Sequence, residues 1–247
     1  LVSPLVAFTL PQSSFAIEPS KDDAKQTQDY INSRNYKSLI ELQSKILSSQ
    51  KKANAKPTEL ISTLLTLGNA HFGLGNFAEA KSAFEQGAKL AAQTKDKEQI
   101  ANFERQLGML ALRQSKYKES LNHLLTAKHL DERKGKDPDK NTARDNYCLG
   151  RFLEKEKKWL AARDEYNSSI TGFEFGYGKN CSETMVPIWC LYMCAKGRGE
   201  SVEDKLCWAK LQQLRQVHKD FLMFPVEEER QFFDLWYRVP VAKAAGK

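Results

Sequence analysis

The sequence predicts an all-α protein: a right-handed superhelical solenoid of antiparallel helix hairpins, closed by C-terminal capping helices. Three observations carry that expectation. A Leu-Gly pair occurs at Leu67-Gly68, Leu107-Gly108 and Leu149-Gly150, with the glycines 40 and 42 residues apart. Behind each glycine the same residue types follow in one order: an aromatic at the ninth place (Phe77, Tyr117, Trp159), a small residue three further on (Ala80, Ser120, Ala162) and a large one four beyond that (Phe84, Leu124, Tyr166). The composition favours helix, with only 8 prolines and 13 glycines among 247 residues.

The bulk properties exclude several classes. Hydrophobic residues make up 41% and charged residues 28% of the chain, which is foldable protein rather than a disordered tail. The formal net charge is +7, but the cations interleave with acids, as in Glu154-Lys155-Glu156-Lys157-Lys158. That is the pattern of a solvated helix face, and no nucleic-acid partner is expected. Residues 1–10, LVSPLVAFTL, are apolar but too few to span a bilayer, so no stable membrane insertion is expected. With Ser14-Phe15-Ala16 behind them, residues 1–16 read as a signal-peptide remnant or a disordered arm. The first reading predicts an exported chain, periplasmic or secreted.

Residues 17–178 read as the repeat array, in units at 22–50, 59–92, 99–131 and 142–173. Each unit is two helices joined by a tight turn, such as Gly75-Asn76 or Ser115-Lys116. The small residues let the two helices approach closely, and the aromatic and the large residue fill the space between them. A bulkier residue at Gly68 would push the pair apart. The first unit, around Tyr36, is degenerate: Thr27 stands in the glycine place and Leu39 in the small-residue place.

The connections carry the extra length of the repeat. Residues 94–97 form a short polar link, and RKGKDPDKN at 133–141 a longer charged one. GFEFGYG at 172–178 reads as a linker whose rings tuck onto the neighbouring hairpin, or as an aromatic binding loop. Residues 179–247 read as a fifth, degenerate hairpin followed by a capping helix and tail. Ser201 and Asp204 suggest a capping box there. Pro225, Glu227, Glu228 and Glu229 suit the start of a last helix that carries Phe232, Phe233, Leu235 and Trp236. Its expected role is to cap the array; a homodimer interface or a partner-binding helix is the alternative.

No enzyme is expected. The chain has no nucleophile elbow, P-loop, HExxH or Gly-rich dinucleotide turn. His71, His123, His129 and His218 share no metal or catalytic spacing, so neither a metal nor a cofactor is expected. The five cysteines form no CxxC pair; Cys181, Cys190, Cys194 and Cys207 either contribute a disulfide or sit as small buried hydrophobes.

The residues quoted above resemble the tetratricopeptide repeat. Leu64, Leu67, Gly68, His71, Phe77, Ala80, Phe84 and Ala88 follow its pattern in one unit, the last one place late. Leu107, Gly108, Ala111, Tyr117, Ser120, Leu124 and Ala127 follow it in the next, then Leu149, Gly150, Leu153, Trp159, Ala162 and Tyr166. The spacing of 40–42 is similar to the long-repeat variants found in kinesin light chains. The resemblance implies a non-catalytic protein–protein scaffold that holds a peptide or partner helix in its concave groove; the alternative is an accessory repeat domain of an enzyme or a secretion or assembly complex. It also implies which residues face that groove: Ser62, Leu65, Asn69 and Phe72; Asn102, Arg105, Met109 and Leu112; Arg144, Tyr147, Arg151 and Glu154. Asn69, Phe72, Asn102, Arg105, Met109, Arg144, Tyr147 and Arg151 are the candidate binding residues. Their arginines predict an acidic or C-terminal peptide segment as the ligand.

Overall fold

A computed structural model describes residues 20–132, 139–218, 230, 231 and 233–235. The apolar stretch 1–10, the Ser14-Phe15-Ala16 site, most of the 133–141 link, Pro225, Glu227 to Glu229, Phe232 and Trp236 lie outside the described residues. Ten α-helices run in sequence through the described part: α1 (Lys21–Asn32), α2 (Tyr36–Lys52), α3 (Pro57–Leu74), α4 (Phe77–Thr94), α5 (Lys97–Arg113), α6 (Tyr117–Asp131), α7 (Lys140–Lys155), α8 (Trp159–Tyr177), α9 (Met185–Arg198) and α10 (Ser201–Val217). They pack as five consecutive hairpins, each docking on the next. Among the described residues there is no strand.

The repeated sequence positions have one geometric role. Tyr36, Phe77, Tyr117 and Trp159 each open the second helix of a hairpin. Two residues before each, the backbone passes through the left-handed region: Arg34 (φ 55°), Gly75 (φ 79°), Ser115 (φ 58°) and Lys157 (φ 58°). The left-handed residue stops the first helix and turns the chain back in the fewest steps. Across the hairpin, the large residue lies directly on the glycine. A Cβ at Gly68 would meet Phe84 Cε1 at 2.3 Å, at Gly108 Leu124 Cδ2 at 2.6 Å, and at Gly150 Tyr166 Cε1 at 2.5 Å. Ala80, Ser120 and Ala162 are fully buried, so each second helix also presses a small residue inward.

One repeat position differs from the sequence reading. The place ascribed to Ala88 belongs to Gly87, which is nineteen residues after Gly68, as Ala127 follows Gly108 and Ser169 follows Gly150. All three are in the buried layer, and a Cβ at Gly87 would lie 2.1 Å from Phe103 Cζ of the next hairpin. The glycine face of the first helix closes the hairpin; this second small position closes the joint to its neighbour.

Two further readings are corrected. Residues 172–178 are not a linker. Helix α8 continues to Tyr177 because Gly172 lets it lie against Ala143 Cβ and the Asp139 carbonyl, where an added Cβ would sit at 2.8 and 3.1 Å. Phe173 is wholly buried there, whereas Phe175 remains exposed. Ser201 does not cap α10: it is the first helical residue, Glu200 holds the cap position, and no side chain accepts the first amides. All five cysteines are free thiols.

Candidate peptide-binding groove

The first helices of the second, third and fourth hairpins line the inner side of the array. On α5, Asn102, Arg105 and Met109 recur every three or four residues along one face; on α7, Arg144, Tyr147, Arg151 and Glu154 do the same. The structure brings Asn69, Tyr147 and Arg151 together on one object, and that object is the chain itself: the C-terminal segment, helical at residues 230, 231 and 233–235.

Asp234 anchors the segment. Its Oδ1 accepts from Arg151 Nη1 at 2.5 Å and from the Tyr147 hydroxyl at 2.5 Å, while Arg151 Nη1 also donates to the Tyr147 oxygen at 3.0 Å. Phe233 meets the Tyr147 ring edge-on at 5.0 Å and the Phe173 ring at 6.1 Å. Next along, the Leu235 carbonyl accepts from Asn69 Nδ2 at 3.1 Å and Gln106 Nε2 at 3.4 Å. At the segment's other end, Arg230 Nη2 donates to both oxygens of Glu154, at 2.6 and 2.5 Å, and the Tyr166 hydroxyl donates to Glu154 Oε2 at 2.7 Å.

These groups are dry. Phe233 is fully buried, Asp234 is 4% exposed, and Arg151 is 3% exposed. Burial works against the Arg151 charge, but Asp234 and, after it, the neighbouring Tyr147 together outweigh burial and hold its pKa well above the ordinary arginine value. Burial and the neighbouring Asp234 charge likewise push the Tyr147 hydroxyl far above the usual range, so it stays a donor. Glu154 resists burial through Arg230 and Arg151, which hold its carboxyl below the ordinary value.

Arg105 has a different environment from Arg151. Its Nε donates to Asp145 Oδ1 at 2.6 Å, its Nη1 to Asn102 Oδ1 at 2.6 Å, and its Nη2 to Asp131. Only 1% of the residue is exposed, as is 1% of Met109. The guanidinium thus ties α5, α6 and α7 together beneath the groove. Two carboxylates share this one cation. Burial, with help from Asp145 and against Arg105, raises the Asp131 pKa to about 7, and burial raises Asp145 as well. Arg144 lies at the edge of the face, 3.4 Å from the Tyr177 hydroxyl and 3.5 Å from Asn141 Oδ1. Phe72 is buried beside Leu235, and both line a cavity of about 200 Å³ with Arg113 and Gln231 on its wall.

Sequence reading singled out the terminal helix with Phe233 and Leu235 but missed Gln106, Phe173, Asp234 and the docking of that helix in the groove. Gln106 is next to Arg105 and falls off the expected inward spacing, and the segment's apolar residues suited an end cap equally well. The cysteines form no reactive centre. Burial raises Cys190 and Cys181 to about 11 and Cys194 to about 12, which keeps them protonated. Among the described residues no group of three or more His, Cys, Asp or Glu could hold a metal.

No protein-family model matches the chain, and no curated protein matches it. Solved structures do. The chain is similar to BtubC (BKLC) from P. vanneervenii at 13% identity, over 82% of each chain, with a TM-score of 0.64. It is also similar to nearly identical TPR-like repeats, described as those of a kinesin light chain, from Podosopora anserina, at 12% identity over 80% of this chain and 95% of that one, with a TM-score of 0.60. At such identities the likeness concerns fold alone. The hairpin order, the glycine contacts across each hairpin and these neighbours agree on one fold: the chain is a helical solenoid of tetratricopeptide-like hairpins.

Proposed function

We propose that the chain is a non-catalytic interaction scaffold whose concave groove takes a short peptide carrying an aromatic residue next to a carboxylate. Repeat solenoids of this fold are generally protein-interaction scaffolds. The observation behind the finer reading is the Arg151–Asp234 pair. The groove presents a buried cation and a buried hydroxyl to one carboxylate, with an aromatic slot beside it and amide donors for the next carbonyl. A partner peptide with the same chemistry would exchange with the chain's own segment, in the manner of a helix or strand docked by a few anchors. The apolar stretch 1–10 is the basis for proposing that this takes place outside the cytoplasm.

The test is a competition in trans. A synthetic peptide spanning residues 228–238, EERQFFDLWYR, is titrated into the Phe233→Ala/Asp234→Ala chain and into the native chain. Binding to the opened chain, weak binding to the native one, and loss on adding Arg151→Ala are the expected results. No binding to the opened chain would remove the groove from the proposal.

A further inference from the structure

We propose that a second docking surface, on the outer side of the first hairpin joint, accepts an acidic amphipathic helix from a protein partner. It is distinct from the concave groove and does not depend on it.

The surface is a trough between α2 and α4. Its floor is one stripe of α3: Leu60, Leu64, Leu67 and His71. Two cavities, of about 300 and 420 Å³, share Lys51, Leu64 and Gln86 and so run together along that stripe. The stripe spans twelve residues of helix, from Leu60 to His71, or about 16 Å.

The α4/α6 and α6/α8 joints are each tied at this level by an ion pair between outer helices. Lys81 of α4 reaches Glu119 of α6 at 3.2 Å, and Lys128 of α6 reaches Glu165 of α8 at 3.6 Å. Counted from the aromatic that opens each outer helix, the places of the first pair are held at the α2/α4 joint by Ile40 and Glu79. Those of the second pair are held by Leu47 and Ala83. Neither can form a bridge, and Leu47 and Ala83 instead line the trough. The degenerate first unit thus leaves an apolar slot where the regular units have a cross-tie.

Charge and pitch select the occupant. Lys51, where the two cavities join, and Lys89, on the opposite wall, flank the half of the trough nearer Leu60; both are exposed and make no ion pair among the described residues, whereas Glu79 lies at the other end. Carboxylates flanking an apolar stripe complement the lysine half. The floor residues repeat once per helical turn, which matches apolar side chains at i, i+4 and i+7 of a docked helix. An extended peptide would present same-face side chains at about 6.6–6.8 Å, out of step with a floor that repeats at about 5.4 Å.

The experiment is a selection of displayed peptides, roughly 16 residues long to match the floor, on the full-length chain. Peptides that also bind the Lys51→Glu/Lys89→Glu chain are discarded. Enrichment of sequences with apolar residues at helical spacing and an acidic flank is expected. An enriched peptide, followed by fluorescence anisotropy, should bind about tenfold or more weakly to Lys51→Glu/Lys89→Glu and to Gln86→Trp, which plugs the middle of the trough. Both variants change exposed side chains, and their melting temperatures should match the native chain. Arg151→Ala should leave this affinity unchanged, which separates the trough from the concave groove. Absence of enrichment, a non-helical or basic consensus, or unchanged binding to Gln86→Trp would each overturn the proposal. So would two alternative occupants: sedimentation of the native chain as a dimer that Gln86→Trp abolishes, or co-sedimentation with anionic phosphatidylserine vesicles that the lysine variant loses.

Discussion

Arg151 and Asp234, 83 positions apart, form a buried ion pair at 2.5 Å, and the Tyr147 hydroxyl donates to the same carboxylate oxygen. A buried cation that loses its closest carboxylate partner is costly, on the order of 3–5 kcal/mol if the site stays dry, and Glu154 Oε2, at 3.9 Å from Arg151 Nε, is too far to replace the hydrogen bond. Asp234→Ala should therefore release the segment and admit water to Arg151 rather than leave its Nη1 dry without a carboxylate. Hydrogen exchange should show faster exchange of the amides at residues 233–235, with α5 and α7 unchanged. Equal protection in both chains would mean that Phe233 alone holds the segment.

The glycine contacts predict a graded cost. Gly150→Ala places a Cβ 2.5 Å from Tyr166 Cε1, so α7 and α8 must part or the ring must move. A loss of about 1–3 kcal/mol in urea denaturation is expected, partly restored by Tyr166→Leu, the residue type found against Gly108. Restoration by the second change distinguishes overpacking from a loss of glycine's own properties.

Turn residues offer the opposite sign. Lys157 holds φ 58° with a side chain that gains nothing from that conformation. Lys157→Gly should stabilise the chain by about 1 kcal/mol, the left-handed cost less the added freedom of the unfolded chain. Gly75→Ala should destabilise it by a similar amount, since nothing within 4 Å of the added Cβ interferes and only φ 79° is at issue. Thermal melts of the two variants should move in opposite directions.

The two carboxylates on Arg105 predict a pH dependence. Asp131 has a folded pKa of about 7, above the ordinary carboxylate value, so the folded state holds a proton that the unfolded state has already lost. Its stabilising contribution is complete below the unfolded pKa, near 4, and is lost as pH rises through about 7. His123, raised by its hydrogen bond to Glu104, acts in the same direction around its own titration. Urea midpoints should fall between about pH 4 and 7, and Asp131→Asn should flatten that part of the profile. A profile that rises over this range would show that Arg105 dominates both acids.

The array was legible in the sequence because its packing uses residue size at fixed intervals. Gly68, Gly108 and Gly150 must be small for the same steric reason, and nothing else satisfies it three times. Gly87 carried the same signal nineteen residues on, but an alanine beside it, Ala88, masked the register. Residues 172–178 were misread because glycine is ordinarily a helix breaker, whereas Gly172 is there to admit Ala143. The groove residues on α5 and α7 followed from helical spacing. The fate of their charges did not: Arg105, three residues before Gly108, and Arg151, one after Gly150, both stand on an inward face, and what lies opposite each is set elsewhere in the chain, Asp131 and Asp145 from neighbouring helices or Asp234 from a distant segment. Long-range partners leave no periodic trace.

The Arg105 cluster has a mechanical consequence. A stacked solenoid flexes like a spring whose compliance is the sum of its joints. The joint between the third and fourth hairpins is stiffened, because Asp131, Asp145 and Asn102 grip one planar cation from three helices and sliding would strip it of directed bonds. Among the described residues, no ion pair ties the outer helices of the first and second hairpins. Under tension the chain should yield first at its amino-terminal joint, while the part that holds the inner segment keeps its curvature.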